Sequence, residues 1–371
     1  MERLDTNGYY ALGLPLYASI VVAEILIARA RKRRIYQFAR TVGNVTAGVG
    51  EVVLGLFLGP ILLGLYDFGY AHLAIVRWPD GSIVPWVLAF FLGDLCYYLY
   101  HRAGHAIALL WAIHGVHHQA DEMNVSVALR HPWLSDVYSA PFYALLPMAG
   151  VPPAHFFVAI SIISFYALTV HSWFFRRPGF GVFVTPQTHI VHHAVNPRYR
   201  GKNLGAMFSI WDKLFGTHVE VDPADPPVIG STDGYRTHDG AFAQWVGFRD
   251  LWVAARAAPT FGESLRVLFS HPGYRPPGTP RAAVVPARDE ALIPTTTKLY
   301  VAVQLVATLA GAAWILWLRS RHPTWLLIGG AALLFWSLSS MGALLDGRPW
   351  ARRGEVLRVG AVGIFAVWGF S

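Results

Sequence analysis

Apolar residues in this chain gather into long runs, and the polar residues between them form short turns and one long stretch. The runs Tyr9–Ala28, Ala47–Val76 and Ile83–Tyr100 come first, Leu134–Gly150 and Val158–Phe175 follow, and Leu299–Leu318, Pro323–Leu345 and Val359–Phe370 close the chain. A helix needs about 20 apolar residues to cross a bilayer, so most of these runs predict spanning helices. The second is long enough to cross with a tilt or a break at Pro60. The fourth and fifth are each short for a full crossing and are separated by "VPPAH". Together they predict a helical hairpin that dips into the membrane and brings His171 back to the face where the chain entered. From Arg176 to Lys298 the chain is polar, rich in Pro and Gly, and predicts a cytoplasmic region with short amphipathic helices such as "FRDLWVAARAA".

This pattern predicts an all-α, multi-spanning integral membrane protein. It divides into N-terminal spans (1–82), a central catalytic region (83–218), a polar cap and connector (219–298) and C-terminal spans (299–371). Composition agrees: 54% hydrophobic and 14% charged residues, with mean hydropathy +0.39, leave too little charge to solvate a globule of 371 residues. The net charge of +8 sits largely at the ends of apolar runs, which marks it as membrane-orienting charge and gives no reason to expect nucleic acid. "RARKRR" follows the first run, the reverse of a cleaved signal peptide, and predicts an outside N-terminus with Arg29 to Arg34 in the cytoplasm. By the same count Arg319 and Arg321 face outward, against the positive-inside tendency. A lone cysteine, Cys96, excludes a disulfide framework and every CxxC metal pattern and reads as a small core residue.

Histidine is where candidate chemistry enters. Nine of the 16 histidines fall in four places: "HRAGH" (His101, His105), "HGVHH" (His114, His117, His118), "TVHSW" (His171) and "THIVHH" (His189, His192, His193). Residues i and i+3 or i+4 share a helix face. His101 can therefore converge with His105, His114 with His117 or His118, and His189 with His192 or His193. A single histidine near an apolar segment is usually a packing residue, which is how His72, His131, His155, His218, His238, His271 and His322 read, with His131 close enough to the second box to neighbour the site. Nine histidines, eight of them at these spacings and all near the cytoplasmic ends of apolar runs, exceed what one ion can use and predict a cytoplasmic di-metal site. No HExxH of a zinc hydrolase is present. Two irons beside a bilayer suit activation of O2 and attack on an unactivated C–H bond.

These boxes resemble those of the fatty acid hydroxylase and sterol desaturase superfamily of integral-membrane di-iron oxygenases, over about Asp94 to Phe215. "DLCYYLYHRAGHAIALLWAIHGVHHQADEMNVSVALR" and "TPQTHIVHHAVNPRYRGKNLGAMFSIWDKLFGTH" look most like the ether-lipid monooxygenase branch and its bacterial members. The resemblance implies that the nine histidines bind two Fe ions and that O2 is co-substrate. It also implies a membrane lipid hydroxylated at the carbon next to a glyceryl ether oxygen, with tetrahydrobiopterin or another external reductant as electron donor. A bacterial inner membrane with the site facing the cytoplasm is the implied location. Asp94 resembles the family's acidic residue before the first box, which would fix an imidazole tautomer. Glu122 and Asn124 match polar positions after the second box that would contact a water or a metal edge, and Asn203, Trp211 and Asp212 match scaffolding positions after the third. The chain departs from the pattern at Ala106, where many relatives carry glutamate, and at His131, where the ether-lipid branch has glutamine. These departures leave open a hydroxylase or desaturase of a fatty acyl chain, an ornithine lipid or a sterol-like lipid, and a non-catalytic metal-binding membrane protein is the remote alternative. No GxGxxG or HPGG motif of a fused reductase domain occurs, so the donor is expected to be a separate molecule.

Overall fold

The computed structural model describes residues 19–174, 181–282, 286–318 and 323–369, so the expectations for Tyr9, Phe175, Arg176, Arg319, Arg321, His322 and Phe370 lie outside the described residues. Among the described residues every regular element is helical, and extended segments meet only as isolated bridges. Residues 19–30 form α1. It is followed by α2 (Phe38–Leu73), α3 (Val84–Ala106), α4 (Ala108–His118), α5 (Ser135–Tyr143), α6 (Leu145–Met148) and α7 (Pro153–Thr169). The polar stretch supplies α8 (Pro186–His192), α9 (Ile210–Leu214), α10 (Gly240–Arg256) and α11 (Phe261–Phe269). The C-terminal bundle is α12 (Thr295–Leu318), α13 (Thr324–Leu345) and α14 (Ala351–Gly369).

Among the described residues three helices are long and apolar enough to cross a membrane: Phe38–Leu73, Thr295–Trp317 and Thr324–Leu345. At 23 residues α3 has the length of a span, but from its middle onward it carries Asp94, Tyr97, Tyr98, Tyr100, His101, Arg102 and His105. α2 begins at Phe38, well ahead of the apolar run at Ala47, because its first half is packed against protein. There Ala39, Asn44, Thr46 and Ala47 are buried and the Trp133 indole donates to the Ala47 carbonyl at 2.8 Å. Its second half exposes Ile61, Leu65, Phe68 and Leu73, the composition of a lipid-facing surface. The predicted hairpin forms as α5, α6 and α7, with the turn at Gly150 in the left-handed region (φ +77). Cys96 is a buried free thiol in the core that Tyr66, Ala89, Leu146, Val151 and Ala159 form where α2, α3, α6 and α7 meet.

α14 differs from expectation. Most of "DGRPWARRGEVLR" reads from sequence as a loop, yet from Ala351 onward it is helix, because its buried charges find partners. Arg358 donates to Glu355 Oε1 at 2.5 Å and to Gln304 Oε1 at 2.6 Å, while Tyr300 and Ser340 donate to the same Glu355 carboxylate. A fully satisfied charge network is what makes such residues tolerable between apolar helices.

Candidate metal centre

Two helices, α4 and α8, carry five of the nine histidines, with His193 at the C-cap of α8, and each is set by a local device. α8 starts at a capping box in which Thr185 accepts from the Thr188 backbone N–H and Thr188 Oγ1 accepts from Thr185 N–H, with Pro186 at the first turn. α4 follows α3 after a break at Ile107, and α10 lies close along it: a Cβ on Gly247 would sit 2.8 Å from Ala112 Cα. His171 is delivered by the turn after α7, where its N–H donates to the Leu168 carbonyl.

The nine histidines resolve into two groups, and each HxxHH box serves both. His101, His105, His114, His118 and His192 form one group; His117, His171, His189 and His193 form the other. Within each group the ligand atoms lie within 4.8 Å of one another. Successive helical residues point about 100° apart, so the neighbours His117 and His118 diverge into different groups, as do His192 and His193. Rings of the two groups adjoin, with His118 and His193 centroids 4.7 Å apart and His189 and His192 centroids 5.2 Å apart.

Backbone carbonyls set the tautomers. The Nδ1–H groups of His101, His117, His171 and His192 donate to the carbonyls of Leu204 (2.7 Å), Arg130 (3.3 Å), Ala167 (3.0 Å) and Lys202 (3.1 Å). A carbonyl only accepts, so the Nε2 of each neutral ring carries a lone pair. The Nε2 atoms of His117 and His171 nevertheless face each other at 3.1 Å. Two lone pairs at that distance repel unless a cation lies between them. A proton is disfavoured there, because burial holds His114, His117, His118, His189, His192 and His193 well below the ordinary imidazole value. Two ligands of one metal at about 2.1 Å and a right angle lie about 3.0 Å apart. The Nε2 pairs His101–His114 (3.0 Å), His114–His118 (3.1 Å), His171–His189 (3.0 Å) and His189–His193 (3.1 Å) match that spacing. His105 Nε2 and His192 Nε2 are buried without a hydrogen bond. The residues fit two metal ions.

The acidic and amide residues singled out in the sequence stand one step further out. Asp94 touches none of the histidines and instead accepts from Met207 N–H, Phe208 N–H and the Trp211 indole at 2.8–3.1 Å; the tautomer-fixing role falls to the backbone carbonyls. Asp212 accepts from Leu204 N–H (2.7 Å), Gly205 N–H (2.9 Å) and Thr217 Oγ1 (2.7 Å), and so aims the Leu204 carbonyl at His101. Asn203, at φ +53, joins the Thr188 carbonyl of α8 to both backbone groups of Val219. Glu122 accepts from Asn124, and Asn124 in turn donates to the Ile35 carbonyl and caps the turn Val125–Leu129. Burial raises the Glu122 carboxyl to about 7. His131 pairs with Glu51 at 2.6 Å. Two buried residues escape the sequence reading. Glu24 on α1 accepts from Tyr36, Val125 N–H, Ser172 and Trp173 N–H, tying α1 to the His171 turn. Arg130 donates to the Val116 carbonyl and Gln119 while its own carbonyl takes His117. A lone acid in an apolar run was the available signal for Glu24; Arg130 offered none.

The described residues thus set a histidine cage within an all-helical fold that includes membrane-length helices. Residues 86–217, which include all nine histidines, match the family model of fatty acid hydroxylase. Over most of its length the chain is similar to alkylglycerol monooxygenases. That of Homo sapiens is 27% identical over 366 residues (95% of this chain, 81% of the relative), and that of Danio rerio is 27% identical over 372 residues with the same coverage. The Caenorhabditis elegans alkylglycerol monooxygenase is 32% identical over 194 residues, 52% of this chain and 38% of the relative. No solved structure matches.

Proposed function

We propose that the chain is a membrane di-iron monooxygenase that hydroxylates a lipid C–H bond with O2, at the carbon next to a glyceryl ether oxygen. The observation that carries this reading is the pair of converging histidine groups in a chain similar to alkylglycerol monooxygenases. Two irons held there would supply the activation of O2 that an unactivated C–H bond needs. The balance is one lipid C–H, one O2, two electrons and two protons giving one C–OH and one water, with tetrahydrobiopterin or another external reductant as donor. At an ether carbon the product is a hemiacetal, which breaks down to an aldehyde and an alcohol.

The chain's own residues bind, orient and exclude water. Leu204, Arg130, Ala167 and Lys202 carbonyls hold four rings in register, so little ordering remains when metal binds. Eight of the nine ligating histidines are buried and His105 is partly so, which keeps water from competing at the reacting carbon. The basic segment Arg29 to Arg34 supports a centre that faces the cytoplasm of a bacterial inner membrane. Iron analysis with Mössbauer spectroscopy on the purified protein and on His192→Ala, run beside O2 uptake and aldehyde release on a panel of ether, acyl, ornithine and sterol lipids, tests the proposal. Two irons per chain, reduced in the variant, with aldehyde from ether lipid alone, support it; one zinc and no O2 uptake overturn it.

A further inference from the structure

The α10–α11 hairpin carries its largest apolar side chains outward, which is costly on a surface facing only water. Trp245 and Trp252 are 60% and 63% exposed and lie seven residues apart, on one face of α10. On α11, Phe261, Leu265 and Phe269 recur every four residues and are 77%, 41% and 60% exposed, whereas Val267 is buried against the protein. Basic groups flank this surface. The Arg256 guanidinium lies 5.5 Å from the Trp252 ring centre and that of Arg266 4.5 Å from the Tyr274 ring. The neighbouring acids are engaged: Asp250 takes Ala282 N–H and Arg275, and Glu263 takes Arg266 and Tyr274.

We propose that this hairpin is an in-plane anchor lying in the headgroup region of an anionic bilayer, with its tryptophans and phenylalanines in the acyl boundary and its arginines on the phosphates. Outward aromatics ringed by arginine fit that environment. The bilayer is favoured over a protein partner because the hairpin is continuous with the spans. Asp239, which caps α10, packs so closely on the last turns of α13 that a Cβ on Gly342 would lie 2.1 Å from its Cα. At the other end, Ala108 N–H at the start of α4 donates to the Ser270 carbonyl after α11, at 2.9 Å. The anchor thus fixes the depth of the helix that carries His114, His117 and His118. It rests on the membrane helices and is independent of the metal chemistry.

The chain's one native cysteine is buried, so single labels can be placed at Phe261→Cys and Phe269→Cys, with the exposed loop position Glu220→Cys as reference. Each full-length variant is labelled with bimane and reconstituted in nanodiscs of phosphatidylglycerol and phosphatidylcholine whose acyl chains carry bromine. Strong quenching at both helix positions and none at Glu220→Cys is the expected result, in metal-free protein as in loaded protein. Arg256→Glu combined with Arg266→Glu should lower the quenching at Phe261→Cys about twofold in anionic discs and leave it unchanged in neutral ones. Labels quenched no more than at Glu220→Cys overturn the proposal, as does a shielded, blue-shifted label without bromine quenching, which would mean a protein partner or a second copy.

Discussion

Replacing Asp212 by asparagine should weaken the metal centre without touching a ligand. Asp212 is 1% exposed, and its two oxygens satisfy Leu204 N–H, Gly205 N–H and Thr217 Oγ1 at 2.7–2.9 Å. An amide keeps one oxygen and turns an NH2 toward at least one backbone N–H. The stranded donor costs about 1–3 kcal/mol, and loss of charge takes about 1 kcal/mol from each of the two remaining bonds, so about 3–5 kcal/mol of support for residues 204–205 disappears. The Leu204 carbonyl then no longer holds His101 Nδ1 at 2.7 Å. Losing such an outer partner typically costs about 10–100-fold in metal affinity. Chelator competition in detergent, read as iron retained per chain, measures this directly. Thr217→Val is the control: it removes one hydroxyl and leaves both backbone contacts, so its effect should stay near 1 kcal/mol and within about threefold in affinity. Wild-type iron affinity in Asp212→Asn, or an equal loss in Thr217→Val, would refute the role given to the Leu204 carbonyl.

Three further outcomes are expected. His117→Ala and His118→Ala should each damage a different ion, and the four-histidine group should lose its metal more readily than the five-histidine group; metal stoichiometry and separate Mössbauer signals check it. In metal-free protein the buried His189, His192 and His193 stay neutral below their ordinary value of 6.5 while the unfolded chain takes up protons. Stability therefore falls as pH drops below about 6.5 and is flat with respect to these groups above it, which a melting temperature unchanged between about pH 7 and pH 5 would contradict. Gly247→Leu should force α10 away from Ala112 on α4, costing about 1–3 kcal/mol and speeding metal loss to a chelator.

The sequence shows the centre more completely than the fold around it. Histidines at helical spacing are readable because their chemistry is rare near apolar runs, and apolar length marks α2, α12 and α13. The ends of helices are less readable. α2 begins early, and α14 reclaims an apparent loop, because buried partners satisfy polar residues that hydropathy counts against a helix. Asp94 illustrates the same limit: sequence places an acid before the first box, but only the fold shows that its partners are Met207, Phe208 and Trp211.

By itself the sequence determined that this is a helical membrane protein whose nine histidines belong together, since composition and spacing are properties of the chain alone. Which histidine joins which group was decided by tertiary structure. In "HGVHH" and "THIVHH" the spacing permits either pairing, and the choice depends on how α4 and α8 are rotated toward each other and toward α3 and the turn at His171. That rotation is set by distant contacts, among them Gly247 against Ala112, Asn203 on Thr188 and the Leu204 carbonyl on His101. It is why His117 and His118, adjacent in the chain, end in different cages.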